Sequence, residues 1–153
     1  METKIKKLIE RLPDIKRDLE KGLGEELYID VEAGDCGNFA KALGEVLEPN
    51  KKHRYACSYE SEYDFQYGQP AHCGIIIDDK FIDIRGVKSL EDAKWCLRER
   101  AVIETPPNYD DIVVDLGEDY MEFDEEFAEQ QFHKIYDEEN VQILEKVIKK
   151  YIE

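Results

Sequence analysis

A strongly apolar run followed by a tight turn constrains the fold of this chain more than any other feature. The run His72–Ile77 ends in three consecutive isoleucines, and β-branched residues favour strands. Asp78–Lys80 follow with residue types typical of turns, and a second apolar run covers 81–84. Two strand-like runs joined by so short a connection predict an antiparallel β-hairpin that closes at Arg85-Gly86.

Two polar residues of this hairpin carry its chemical interest. His72 opens the first strand, and Asp83 stands between two isoleucines in the second. A turn centred near residue 79 places Asp83 opposite Ile75, three residues from His72, which is about 10 Å at the rise of a strand. A β-bulge at Gly74, strand curvature or a different turn register would bring them closer. Because a buried carboxylate without a partner is costly, Asp83 either pairs or lies on a polar face.

A cysteine begins a well-defined helical pattern upstream of the hairpin. The pattern predicts a helix over 36–47, with Asp35 as its N-cap. Gly44 costs this helix about 1 kcal/mol relative to alanine and therefore indicates a close contact. Cys36 would stand at the N-terminus, where unpaired backbone N–H groups and the macrodipole favour a thiolate. The plainer interpretation is a small buried residue. The predicted buried stripe consists of Phe39, Leu43, Val46 and Leu47.

The rest of the chain mixes helical and strand patterns, which predicts one α+β domain over residues 1–153. Residues 3–22 have helical spacing interrupted at Pro13, which either kinks the helix or begins a second one. From Glu118 onward the pattern is helical again. The expected architecture is a helix bearing Cys36, packed on a small antiparallel sheet and flanked by N- and C-terminal helices. The other predicted elements are a strand at 54–59, a helix from Ser89 to about residue 100, and strands at 101–103 and 109–114.

Negative charge is concentrated in one segment. The net charge of the 153 residues is −16, and residues 104–139 contain fourteen acidic residues and one lysine, which account for −13 of it. Such a segment repels phosphates, so direct nucleic-acid binding is disfavoured. It is suited to a basic partner, or it is simply a solvated acidic face.

No apolar run is long enough to span a membrane, and the N-terminus has no signal-peptide core, so we expect a cytoplasmic protein without membrane contact. In that compartment the four cysteines are expected to be reduced.

Metal and nucleotide chemistry have little support. His53, Cys57, His72 and Cys73 are conceivable zinc ligands, but His72 and Cys73 are adjacent on a predicted strand and point to opposite faces. The sequence has no CxxC pair, phosphate loop or dinucleotide fingerprint. We therefore expect no metal and no cofactor.

Cysteine hydrolases need a thiolate nucleophile, an imidazole that exchanges a proton with it, and a polar group that orients the imidazole. Cys36, His72 and Asp83 supply these residue types in an order that a helix packed on a hairpin can bring together. The short motifs also resemble the papain-like cysteine-hydrolase superfamily, in particular its transglutaminase-like and NlpC/P60-like branches. The resemblance covers residues 34–86 and is carried by Asp35-Cys36-Gly37-Asn38-Phe39-Ala40, His72-Cys73-Gly74-Ile75-Ile76-Ile77 and Phe81-Ile82-Asp83.

The resemblance implies a papain-like core and a role for each residue. Cys36 would be the nucleophile, His72 the general base and acid, and Asp83 the orienting residue. An oxyanion hole would use the Cys36 backbone N–H and one side-chain donor. The papain-type glutamine six residues before the cysteine is replaced by Asp30, and the transglutaminase-type tryptophan after the histidine is missing. Candidate donors are Tyr28, by similarity to the upstream tyrosine of NlpC/P60-like enzymes, and Gln66 or Gln69.

The expected function is therefore a cysteine-dependent hydrolase or acyltransferase that acts on a peptide or amide bond, by hydrolysis, deamidation or acyl transfer. Its substrate would be a peptide or amide compound, or a basic protein selected by the acidic segment. The alternative is a non-enzymatic acidic protein that binds or inhibits a basic partner through 104–139. The oligomeric state is left open.

Overall fold

The computed structural model of the protein describes residues 2–21, 35–58, 72–94, 120–124, 126 and 136–153. Over these residues the chain combines helices with one antiparallel sheet, which confirms the predicted α+β class. The helices are α1 (Glu2–Glu20), α2 (Cys36–Leu47) and α3 (Glu138–Ile152), and the strands are β1 (Arg54–Ser58), β2 (His72–Ile77), β3 (Lys80–Asp83), β4 (Gly86–Ser89) and β5 (Tyr120–Asp124). A short helical segment at 90–94 follows β4.

The five strands lie in the order β4-β3-β2-β1-β5. Consecutive strands are neighbours from β1 to β4. Two-residue turns at 78–79 and 84–85 join β2 to β3 and β3 to β4. The predicted helical pattern from Glu118 onward is wrong for Tyr120–Asp124, which forms β5 and pairs antiparallel with β1. Pairing with the open edge of β1 outweighs the local helical spacing, because the edge supplies backbone hydrogen-bond partners that spacing cannot reveal.

The two faces of the sheet differ in what covers them. Alternate residues of β1, β2 and β3, among them Tyr55, Ile75 and Ile82, belong to the main apolar core together with the three helices. α2 packs along β2, α3 packs on α2, and α1 packs on α3. The opposite face carries a smaller apolar cluster, which consists of Ala56, Ile76, Phe81 and Ala93.

Gly44 explains how α2 approaches the sheet so closely. A Cβ atom at this position would lie 2.5 Å from Cδ1 of Ile75 and 2.8 Å from the ring of His53. The predicted close contact at this glycine is therefore confirmed, and it outweighs the helix propensity that glycine loses.

Helix α1 runs without a break from Glu2 to Glu20, with Pro13 inside it. Of the two alternatives for Pro13, a second helix is therefore wrong, and a continuous helix that contains the proline is correct. One face of α1 stays buried on both sides of the proline, with Leu12 and Ile15 in the main core, so packing holds the helix together across it. At its C-terminal end the carboxylate of Asp18 accepts a hydrogen bond from the hydroxyl of Tyr151 in α3. None of the described helices has both the length and the apolar character needed to cross a membrane.

Candidate active site

The turn between β2 and β3 sets the register on which the candidate site depends. Asp78 and Asp79 both have positive φ, 51° and 58°, which is the backbone of a two-residue type I′ turn. β3 consequently begins at Lys80, and Ile75 pairs with Ile82. The predicted pairing of Asp83 with Ile75 is wrong by one residue. Continuing the observed register places Asp83 opposite Gly74, on the same face of the sheet as His72.

This register brings the side chains of His72 and Asp83 together. Nε2 of His72 donates a hydrogen bond to Oδ2 of Asp83 over 2.7 Å, and the two side chains are only 3% and 4% exposed. The second carboxylate oxygen, Oδ1, accepts a hydrogen bond of 2.9 Å from the backbone N–H of Arg85. Both oxygens of the buried carboxylate are thus satisfied, as its burial requires.

The environment keeps Asp83 ionised. Burial on its own raises the pKa of the Asp83 carboxyl, but the hydrogen bond and charge of His72, the Arg85 N–H and the charge of Lys88 outweigh it and leave the pKa below its ordinary value. An ionised carboxylate can only accept, so Nε2 of His72 carries the hydrogen in this pair. In the neutral imidazole Nδ1 is then the nitrogen with a lone pair.

Nδ1 of His72 is buried and has no hydrogen-bond partner among the described residues. Buried polar atoms are nearly always paired, so an exception beside an ionised carboxylate calls for a chemical explanation. This nitrogen is oriented by the Asp83 hydrogen bond and is able to accept a proton. The pair therefore has the form of a general base with its orienting carboxylate.

Gly74 allows an aromatic ring to cross β2 next to the imidazole. A Cβ atom here would lie 2.2 Å from the ring of Phe81 and 2.9 Å from the carbonyl oxygen of Ile82. The Phe81 and His72 rings are consequently close, with their centroids 6.4 Å apart. No bulge interrupts the pairing of β1 with β2 at Gly74, since this pairing keeps one register from Ile76 to His72.

Cys36 is the first residue of α2 and is 3% exposed. It belongs to the main core, which lies on the α2 face of the sheet, whereas His72 shares the other face with Phe81. Because Nδ1 of His72 has no partner in the described part of the chain, the two residues are not joined by a hydrogen bond through this nitrogen. The structure thus brings His72 and Asp83 into contact, while the participation of Cys36 stays a prediction.

A small polar network fixes the N-terminal end of α2. Asp35 has the N-cap position but makes no side-chain cap, contrary to expectation. Its carboxylate instead accepts hydrogen bonds from the side-chain amides of Asn38, at 2.8 Å, and Asn140, at 3.4 Å. Oδ1 of Asn38 in turn accepts the backbone N–H of Asp137, the N-cap of α3. The ends of the two helices, and with them Cys36, are tied to each other.

Cys57 and Cys73 are directly opposite each other in β1 and β2 and carry reduced thiols. Burial raises the pKa of Cys73 well above its ordinary value, and the adjacent Cys57 and the charge of Asp83 raise it further. A thiol of this kind is a weak nucleophile at neutral pH. Of the described cysteines, Cys36 is therefore the better candidate, because it alone stands at a helix N-terminus.

One polar residue of the site was not anticipated from the sequence. Ser58 ends β1 and is the direct cross-strand partner of His72. Its side chain is fully buried, and its Oγ has no hydrogen-bond partner among the described residues. A serine at a strand end has no distinctive sequence signal, so only the pairing of β1 with β2 reveals it.

The proposed oxyanion donors Tyr28, Gln66 and Gln69 lie outside the described residues. So does most of the acidic segment 104–139 on which the alternative function depends. Within the described residues, no group of three or more His, Cys, Asp or Glu side chains is arranged to hold a metal ion.

The chain was also compared with protein-family models, with curated proteins and with solved structures, and it matches none of them.

Proposed function

We propose that the protein is a cysteine-dependent hydrolase or acyltransferase with a papain-like core that acts on an amide or peptide-type bond. Cys36 is the nucleophile, His72 the general base and acid, and Asp83 the orienting residue. The observation that carries this proposal is the buried pair in which Asp83 holds His72 through Nε2 and leaves Nδ1 without a partner among the described residues. A proton acceptor of this kind is what an adjacent thiol requires.

The direction in which α2 runs along β2 supports the role proposed for Cys36. Near its C-terminal end, α2 packs Gly44 against Ile75 and His53, and the Glu48 carbonyl accepts a hydrogen bond of 3.0 Å from Nε2 of His53. His53 immediately precedes β1, whose first residue pairs near the far end of β2. The rest of α2 therefore runs back along β2 in the direction of His72.

The lengths of the two elements agree with this direction. Cys36 is eight residues from Gly44, or about 12 Å along a helix, and His72 is three residues from Ile75, or about 10 Å along a strand. His72 is the first residue of β2, and we propose that the thiol at the helix end reaches its imidazole around the end of the strand, because Cys36 and His72 belong to opposite faces of the sheet.

The chemistry follows from these roles. Nδ1 of His72 takes the proton of the Cys36 thiol, and the thiolate attacks the carbonyl carbon to form a tetrahedral intermediate. As the C–N bond breaks, the protonated Nδ1 gives its proton to the leaving amine, and an acyl thioester remains on Cys36. Water or an amine, deprotonated by His72, then attacks the thioester and restores the thiol. Asp83 stays ionised throughout and stabilises the imidazolium.

Alkylation by iodoacetamide, followed by peptide mass spectrometry, tests the proposal in the folded protein. Cys36 is expected to react at pH 7 before Cys57 and Cys73, which serve as internal controls. In His72→Ala the Cys36 rate should fall about tenfold or more, because an ordinary cysteine with a pKa near 8.5 is only a few per cent thiolate at pH 7. Asp79→Asn changes an exposed turn carboxylate and should leave the rate unchanged.

A second variant separates loss of chemistry from loss of folding, since His72 is buried. Asp83→Asn keeps the shape of the side chain and should lower the same rate while the far-ultraviolet circular dichroism stays that of the wild type. A Cys36 that reacts only after denaturation, or at an equal rate in all three variants, would rule out the proposed nucleophile.

A further inference from the structure

Ser58 and His72 form a pair whose polar atoms have no mutual hydrogen bond. They are direct partners in the antiparallel pairing of β1 with β2, so their side chains leave the sheet on the same face, with Cβ atoms about 5 Å apart. Oγ of Ser58 and Nδ1 of His72 are both buried, and neither has a hydrogen-bond partner among the described residues. Two paired residues on one face thus each carry a buried polar atom without a partner among the described residues.

The two atoms have complementary properties. The Ser58 hydroxyl can donate a hydrogen, whereas Nδ1 of His72 has a lone pair in the neutral imidazole, in which Nε2 holds the hydrogen toward Asp83. Leaving such groups unpaired destabilises the folded protein, so they suit a partner that is present only during function. A carbonyl group under attack by a thiolate provides such a partner. Its oxygen becomes negatively charged and accepts a hydrogen bond, next to the group that takes the thiol proton.

We infer that Ser58 is an oxyanion donor, whose Oγ–H hydrogen-bonds the substrate carbonyl oxygen as Cys36 attacks the carbonyl carbon. This inference rests on the proposed function and extends it to an acyl site lined by Cys36, His72 and Ser58. The substrate class is an uncharged acyl compound, an ester or amide, whose carbonyl oxygen points toward Ser58 in β1. In the attack the C–S bond forms, the C=O π electrons move to the oxygen, and Ser58 keeps its proton while donating the hydrogen bond.

A structural role for Ser58 makes different predictions. If its hydroxyl served only to hold the His72 ring through Nδ1, its removal would alter the proton acceptor and shift the pH dependence of every reaction of Cys36. If it served only packing, removal would lower stability without distinguishing between reactions. An oxyanion donor affects only reactions that develop an oxyanion.

Two reactions of the same thiol make this distinction. Iodoacetamide alkylates Cys36 by displacement at carbon and develops no oxyanion, whereas p-nitrophenyl acetate acetylates it through a tetrahedral intermediate. Both reagents are small, which the burial of Cys36 requires. Rates are measured on the full chain by mass spectrometry of the Cys36 peptide, from pH 6 to 9, in wild type, Ser58→Ala, Ser58→Thr and the control Ser89→Ala. The control removes an exposed hydroxyl that accepts the Asp92 N–H.

In Ser58→Ala we expect acetylation to slow by about 100-fold, the usual effect of losing one oxyanion donor. Alkylation and its pH profile should stay within about twofold of the wild type. Ser58→Thr retains the hydroxyl and should recover part of the acetylation rate, and Ser89→Ala should change neither reaction.

The results that overturn the inference are equally specific. Unchanged acetylation in Ser58→Ala, or equal slowing of both reactions, removes the oxyanion role while the proposed nucleophile stands. A wild-type Cys36 that is inert to both reagents removes the proposed function and this inference together.

Discussion

In the pairing of β2 with β3, Asp83 lies one residue nearer to His72 than a turn centred on residue 79 would place it. This shift allows the 2.7 Å hydrogen bond between their side chains. The shift originates in Asp78 and Asp79, whose left-handed backbones make a two-residue turn. A short local segment thus determines whether the carboxylate reaches the imidazole. The buried pair that results is the basis of the proposed chemistry.

The carboxylate of Asp83 should make folding stability depend on pH in the acid range. Its folded-state pKa is lowered from 3.8, so its contribution is fully present above about pH 4 and is lost as the pH falls through the lower folded value. Asp83→Asn should cost about 1.5–3 kcal/mol at pH 7, typical of a hydrogen bond to a charged group, and should weaken this acid dependence. Urea unfolding from pH 2 to 7 measures both effects. In the control Asp79→Asn, the free energy of unfolding should change with pH as it does in the wild type. The same pH dependence in Asp83→Asn would show that Asp83 is not its source.

Gly74→Ala should destabilise the protein by about 1–3 kcal/mol, in the range of overpacking in a core. The added methyl group would lie 2.2 Å from the ring of Phe81 and 2.9 Å from the backbone oxygen of Ile82. The ring can move but the strand backbone cannot follow easily. Phe81→Leu introduced in the same chain should recover part of the loss, so the two changes should be non-additive in a thermal unfolding cycle. Strict additivity would show that the ring is not the obstacle.

Cys73 should resist alkylation in the native protein up to about pH 9. Burial raises its thiol pKa, as do Cys57 and the charge of Asp83, and only a thiolate is a good nucleophile. A time course with iodoacetamide at several pH values, read by mass spectrometry, checks this. Modification of Cys73 at pH 7 at the rate of a small free thiol would be incompatible with its described environment. Unfolding in guanidinium should make it reactive.

Asn38→Ala should lower the free energy of unfolding by about 1–3 kcal/mol, because it leaves the backbone N–H of Asp137 without its acceptor and removes the bond to Asp35. Asn140→Ala removes only the longer contact of 3.4 Å and should cost less. Urea unfolding of the two variants shows which one loses more free energy of unfolding. If Asn140→Ala proved the more costly, the junction of α2 with α3 would depend on a different contact.

Several local elements could be predicted from the sequence because their cause is local. The bounds of α2 and β2 agree with the apolar spacing, and Ser89 accepts the Asp92 N–H as its capping pattern indicates. Strand alternation also places His72 and Cys73 on opposite faces, as expected. In contrast, the helical pattern over Tyr120–Asp124 is misleading, because the strand β5 depends on pairing with the distant β1.

By itself, then, the sequence determined the candidate residues for the proposed chemistry: a cysteine at a helix start, a histidine at a strand start and an aspartate in the next strand. The tertiary structure decided which of them meet. The turn backbone brought Asp83 to His72, and the pairing of β1 with β2 brought Ser58 to the same imidazole. Such contacts depend on register, and a shift of one residue reverses the face of every side chain in a strand. Residue types and spacing alone do not specify that shift.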